Sequence, residues 1–594
     1  MDNRANIMMT SKSGTPRKWA WRSLLLVAIL AAPAAYSEVI PNDPNGPEAG
    51  TLLGNYLAGR VARSSHDTIA AADYYSKALA GDPDNAIILE QTFLLETAAA
   101  HWDRATELAQ DLIRVEPSHR IAQFLLGLEA FKQGDYEEAD EHFAAARQGP
   151  IADLTSTLAR AWVQEAEGEH SESFATLDTL SSADWAQYYQ RYHRALIADI
   201  AGRHQLARQS YTQAFKRSPT TLRVADAYAR HAVNANDRKL AIETIKAHMA
   251  KAAPHPLSEA LLQKIEAGET PPLLAANPND GLAEVFYGIG DALAGEGGLD
   301  MGIVFLQFAI YLKPDFPLAY IALAEAYETA KKYDAEIAAF DRIPEDSPLW
   351  VNVQIQKAFA LNSLERVDAA KALLEKIIAQ NPDDIRPLDA LGNIMRAHER
   401  YAEALEYYSR AVALVDKPTK ENWALYYSRG VSNERLKDWP AAEADFKQAL
   451  ELAPDESLVL NYLGYSWVDQ GMNLKQAMDY IRKAVKLKPD DGYYVDSLGW
   501  AYYRLGNMPA AVEHLERAVE LRPDDPIIND HLGDAYWRVG RTLEAKYQWE
   551  QALTLDPEQE QIDTLNGKIA SGLEETTQTK AAAGPGHTDQ KTSQ

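Results

Sequence analysis

Residues 461–484 read N-Y-L-G-Y-S-W-V-D-Q-G-M-N-L-K-Q-A-M-D-Y-I-R-K-A, and residues 496–506 read D-S-L-G-W-A-Y-Y-R-L-G. They belong to a stretch from Leu458 to Pro557 that states one pattern three times. Pro489, Pro523 and Pro557 close its units on a 34-residue period. Each unit opens on Leu-Gly (Leu463-Gly464, Leu498-Gly499, Leu532-Gly533) and has an aromatic three residues on (Trp467, Tyr502, Tyr536). An alanine follows (Ala477, Ala511, Ala545), and a second comes seven later (Ala484, Ala518, Ala552). The small residues let two helices approach closely, and the proline stops the second helix before the next begins.

This period and residue order resemble the tetratricopeptide repeat (TPR), a helix–turn–helix unit that buries its apolar face only against its neighbours. Weaker copies run through the rest of the chain: Gly59/Ala71/Tyr75/Pro83, Gly127/Ala139/Phe143, Ala207/Tyr211/Pro219, Gly392/Ala404/Tyr408 and Gly430/Ala442/Phe446/Pro454. The expected fold is all-α, a TPR α-solenoid (superhelix) of about 13 or 14 helix pairs. A pair across 151–184 departs from the pattern and is expected to be the softest; the C-terminal repeats should be the most stable.

Around this core, residues 1–37 have the build of a secretory signal peptide. A basic cluster (Arg17, Lys18, Arg22) precedes an apolar run from Leu24, with cleavage expected after Ser37 or Ala34. About a dozen apolar residues are too few for a spanning helix, which needs roughly 20. Residues 38–50 read as a linker, 51–254 as a first repeat block and 255–281 as a linker or kink. Residues 282–573 then form a second block ending in a capping helix (560–573), and 574–594 a disordered tail. The run G-I-G-D-A-L-A-G-E-G-G at 288–298 is expected to be an inter-helix turn, since it lacks the strand and Gly-Lys-Ser/Thr of a phosphate loop. These features predict a periplasmic protein.

The 594 residues carry a net charge of −27, which argues against a nucleic-acid partner or an anionic membrane surface. With no cysteine there is no disulfide, thiolate metal site, cysteine nucleophile or lipid-bearing cysteine, and so no lipid anchor. Histidines are scattered, without H-E-x-x-H or G-x-S-x-G, and carboxylate pairs such as Asp490-Asp491 and Asp524-Asp525 suit helix starts. The expectation is no enzyme, no cofactor and no metal.

The binding candidates lie on the first helix of each clear repeat, on a stripe spaced 3 and 4 apart beside the packing face. They are Asn461 and Tyr465; Tyr493, Asp496, Trp500 and Tyr503; and Asp530, Asp534 and Trp537. In TPR proteins this stripe lines the concave surface, so the resemblance implies an acidic, aromatic groove for a protein or peptide segment. The alternative is that the aromatics fill gaps between adjacent first helices.

Residues 461–484 and 496–506 also resemble the LbcA-type TPR proteins of Gram-negative envelopes. Those lipoproteins bind a carboxyl-terminal processing protease and present cell-wall hydrolases to it. The resemblance implies a periplasmic protease and peptidoglycan hydrolases as partners; the missing cysteine is a departure. A scaffold for polysaccharide export or outer-membrane assembly is the second expectation, and the N-terminal repeats leave room for a homo-oligomer.

Overall fold

The computed structural model describes residues 50–64, 68–180 and 183–573. The expected signal peptide, nearly all of the 38–50 linker and the 574–594 tail lie outside the described residues. Thirty α-helices run through these residues, with one short 3₁₀ turn at Lys420–Asn422 and no strand among them. Twenty-six of them pack as thirteen consecutive pairs, and Pro256–Glu266 and Gln559–Ser571 stand outside these pairs. The all-α repeat architecture is therefore as the 34-residue period required.

Local chemistry explains the punctuation. The Asp491 carboxylate accepts from the Tyr493 backbone N–H at 3.1 Å, and Asp525 accepts from Ile527 and Ile528 at 2.9 and 3.0 Å. Each satisfies donors that the first turn leaves orphaned, at about 1 kcal/mol per cap. The repeat glycine is dictated by packing: a Cβ at Gly533 would stand 2.5 Å from the buried Trp549 ring of the pair's second helix.

The chain falls into two compact units divided between Ile377 and Ile378. The stretch expected to be a linker or kink, 255–281, lies inside the first unit and holds the Pro256–Glu266 helix. Its extended part is tied down. Arg230 and Asn234 donate to the carbonyls of Pro272 (3.0 Å) and Pro271 (2.8 Å), and Arg238 donates to those of Glu269 and Gly268. Backbone with its carbonyls satisfied in this way is a fixed part of the unit.

Within the first unit, the chain folds back on its own repeats. The hairpin of Pro278–Gly295 and Leu299–Leu312 lies against the first helices of the preceding pairs. Its second helix meets Ala86–Ala98 and Arg120–Gln133, and its first meets Pro150–Glu167 and Asp184–Ile200. Phe124 touches Phe286 and Phe305 edge-on (6.0 and 5.9 Å), and Trp102 packs on Tyr311 at 4.4 Å. Most of the 288–298 glycine run continues the hairpin's first helix, so only 296–298 make the expected turn. Gly281 is where the contact is closest: a Cβ there would lie 2.1 Å from Trp162, which is fully buried.

The second unit holds five pairs, from Ile385–Ala397 with Tyr401–Ala413 to Pro526–Arg538 with Thr542–Leu553, and then the Gln559–Ser571 helix. One core carries Phe446, Trp467 and Ile481; another carries Leu515, Leu532 and Trp549.

Candidate functional site

The first helices of three consecutive pairs in the second unit, Ser457–Asp469, Gly492–Arg504 and Pro526–Arg538, carry the nine candidate residues. Because each pair repeats the register of the last, the structure brings these residues into one row, but their environments differ along it.

At the C-terminal end the row is covered by the chain itself. Lys568, on the Gln559–Ser571 helix, reaches Asp530 at 2.7 Å and Asp534 at 2.8 Å. Asp534 also accepts from Trp549 Nε1 at 3.0 Å. Burial, with the neighbouring Asp530 charge, raises the Asp534 pKa, and Lys568 works against that rise. Trp537 packs on Trp549 at 5.5 Å and against the backbone of Gly572. These three residues hold the capping helix, so the groove expected of them is occupied here by residues 559–572.

In the middle of the row, the aromatics bridge neighbouring first helices. Trp500 stacks on Tyr503 at 4.7 Å and on His531 of the next pair at 4.0 Å, all nearly parallel. His531 Nδ1–H donates to both carboxylate oxygens of the buried Asp496 at 3.0 Å. Burial opposes a charge on His531, but Asp496, with Asp530 and Asp534, outweighs it and lifts the pKa above the ordinary value. Arg538 Nε donates to the Tyr503 hydroxyl at 3.3 Å. Sequence reasoning missed His531 and Lys568. The signal for His531 was its place beside Asp530, one repeat on from Asp496; Lys568 left none.

The N-terminal part of the row is more open. Tyr465, Tyr493, Trp500 and Tyr503 are each half-buried, and Arg522 lies over the Tyr493 ring at 4.9 Å. Here two buried polar atoms have no partner among the described residues: the Asn461 side-chain oxygen and Trp500 Nε1. An acceptor and a donor left in this way cost about 1–3 kcal/mol each, and native structures match such groups to water or ligand. The row can therefore offer one acceptor, one donor and four half-open tyrosine and tryptophan rings to a polypeptide.

Among the described residues no group of three or more histidines and carboxylates is placed to hold a metal ion. No described helix is long and apolar enough to cross a membrane.

The comparisons agree with the helix-pair geometry. Tetratricopeptide repeat models match residues 94–152, 390–457 and 427–492, and a TPR repeat model matches 499–540. The TPR repeat-containing protein PA4667 of Pseudomonas aeruginosa is 30% identical over 167 residues, covering 27% of this chain and 26% of that protein. Tetratricopeptide repeat protein 13 of Homo sapiens is 26% identical over 195 residues, covering 32% of this chain and 21% of its own. The chain thus spans about a quarter of the length of these curated relatives. The crystal structure of the APC/C hetero-tetramer Cut9-Hcn1 aligns at 13% identity and a TM-score of 0.37, covering 89% of this chain and 97% of that one. With repeat models matched in segments of both units and helix pairs in each, the fold is an all-α solenoid that carries tetratricopeptide repeats, a repeat type that typically serves as a scaffold for protein–protein contacts.

Proposed function

We propose that the protein is an exported adaptor of the cell envelope that binds partner polypeptides along the open part of the second unit's row. In this reading it presents cell-wall hydrolases to a carboxyl-terminal processing protease. The observation that carries the binding site is the unpartnered Asn461 oxygen and Trp500 Nε1, set among half-open aromatic rings one repeat apart. An extended segment supplies the complementary groups, a backbone N–H for Asn461 and a carbonyl for Trp500, while its side chains cover the rings. The protease and hydrolases as partners, and the periplasm as location, rest on the 461–506 resemblance and the build of residues 1–37.

The test places a photo-crosslinking residue at Tyr465 or Tyr503 in the full chain and identifies what is captured in the periplasm by mass spectrometry. A processing protease and cell-wall hydrolases are expected, with capture reduced at least tenfold by Asn461→Ala combined with Trp500→Ala. Capture of glycan-synthesis or porin-assembly proteins instead would move the reading to an export or assembly scaffold. Crosslinks indifferent to the double substitution would remove the row as the binding site.

A further inference from the structure

The fold-back in the first unit creates a cavity of about 410 Å³ that no repeat contains by itself. One wall is the Asp184–Ile200 helix, with Tyr188, Tyr189, Tyr192 and His193; the facing wall is the hairpin's first helix, with Glu284, Tyr287 and Asp291. Arg223, from the Leu222–Asn234 helix, closes the side.

The charges in it are unequal. Glu284 is fully engaged: it takes the Arg223 guanidinium through both carboxylate oxygens and accepts from the Tyr192 hydroxyl at 3.1 Å. That pair is buried and neutral as a unit. Asp291 stands two helical turns further along the same face, at the solvent-facing mouth, and has neither an ion-pair nor a hydrogen-bond partner among the described residues. Its carboxylate acts on the phenols of Tyr188, Tyr189 and Tyr287, each of which burial, first of all, already holds above the ordinary tyrosine range. Three tyrosines around one unmatched carboxylate make a cage for a cation, because ring faces and the anion attract the same charge.

His193 defines the other half of the ligand. It is buried, and burial pushes its pKa down to about 3, so the ring is neutral. Trp162 Nε1 donates to its Nδ1 at 3.1 Å, which puts the imidazole proton on Nε2. That Nε2–H is a buried donor without a partner among the described residues. A ligand that satisfied it would carry an acceptor oxygen as well as a positive charge.

We propose that this cavity is a binding site for an organic cation that also bears an acceptor oxygen, the chemistry of a lysine or arginine residue within a polypeptide. Asp291 is the counter-charge, the tyrosines are the walls and His193 donates to the oxygen. The site lies in the first unit and uses none of the residues of the second unit's row, so it stands or falls separately from the adaptor reading.

Isothermal titration calorimetry on the full chain tests it with three probes: Nα-acetyl-arginine amide, Nα-acetyl-norleucine amide and tetramethylammonium. Saturable binding of the arginine amide is expected, at least tenfold tighter than either of the others. Asp291→Asn should weaken it at least tenfold, and Asp291→Lys, which brings its own ammonium to the mouth, should abolish it. Asp291 is exposed, so both variants should keep the parent melting temperature, which a thermal scan confirms. Equal binding of norleucine amide would overturn the cation; equal binding of tetramethylammonium would overturn the acceptor oxygen. No saturable binding, or unchanged binding in Asp291→Asn, would overturn the site.

Discussion

The two units present the same row of first helices in opposite conditions. In the first unit the row is filled by the chain's own 278–312 hairpin, whose Phe286 and Phe308 are wholly buried. In the second unit, among the described residues, a single helix, Gln559–Ser571, covers only the C-terminal end, and Tyr465, Tyr493 and Trp500 stay half open. A TPR row is thus an apolar surface that needs an occupant. Where the described chain supplies one, the row becomes core; where it does not, the row is left open for the partner proposed above.

The comparison breaks first at the hairpin. Phe286→Ala removes a ring packed against Phe124, Phe305 and Phe308 and should cost about 3–5 kcal/mol. Hydrogen exchange should then quicken across the 120–200 helices as well as the hairpin, and leave 385–571 unchanged. If only the hairpin loosened, the row beneath would be stable without its occupant and the contrast would be lost.

At the second unit's covered end, Lys568→Ala leaves Asp530 and Asp534 facing one another without their cation. A loss of about 2 kcal/mol is expected, below the full cost of breaking a buried pair because Asp530 keeps partial solvent access. Faster exchange confined to the Pro526–Arg538 and Gln559–Ser571 helices would confirm it. Added capture of polypeptide by the uncovered end would sharpen the comparison further.

Two titrations separate the units by pH. Glu336, in the first unit, is buried, and burial first and Glu328 second raise its pKa to about 8. A raised acid contributes stability that is complete below its ordinary value and lost as pH climbs through the folded one. The first unit should therefore lose melting temperature by a few degrees as pH rises from about 4.5 to about 8 and level off above it, and Glu336→Gln, always neutral, should abolish that loss. His531 works in the second unit with a raised pKa. Its bond to Asp496 contributes fully below about pH 6.5 and fades as pH rises through the higher folded value. The expected change is the smallest, about 1 kcal/mol, and His531→Gln should flatten it.

The repeats were legible because a 34-residue period forces a residue type at each contact. Gly533 against Trp549 and Asp525 at its helix start are positions that local geometry alone dictates. The aromatic-acidic row was legible too, as a stripe. Its division into a covered C-terminal end and a more open N-terminal part was not, since Lys568 lies 38 residues from Asp530. The pair at 151–184 shows a feature the period does not carry. Eleven residues of Pro150–Glu167 are buried, because the hairpin covers the face that an ordinary repeat leaves free. Its sequence departs from the pattern in accepting a second neighbour.

By itself, then, the sequence determined that helices pair and stack, because each repeat can bury its apolar face only on the next one along the chain. Which rows would be filled, which would stay open, and that a tyrosine cage would form between Tyr188 and Asp291 were decided only in three dimensions. The cage joins residues about a hundred positions apart, beyond the reach of any 34-residue period.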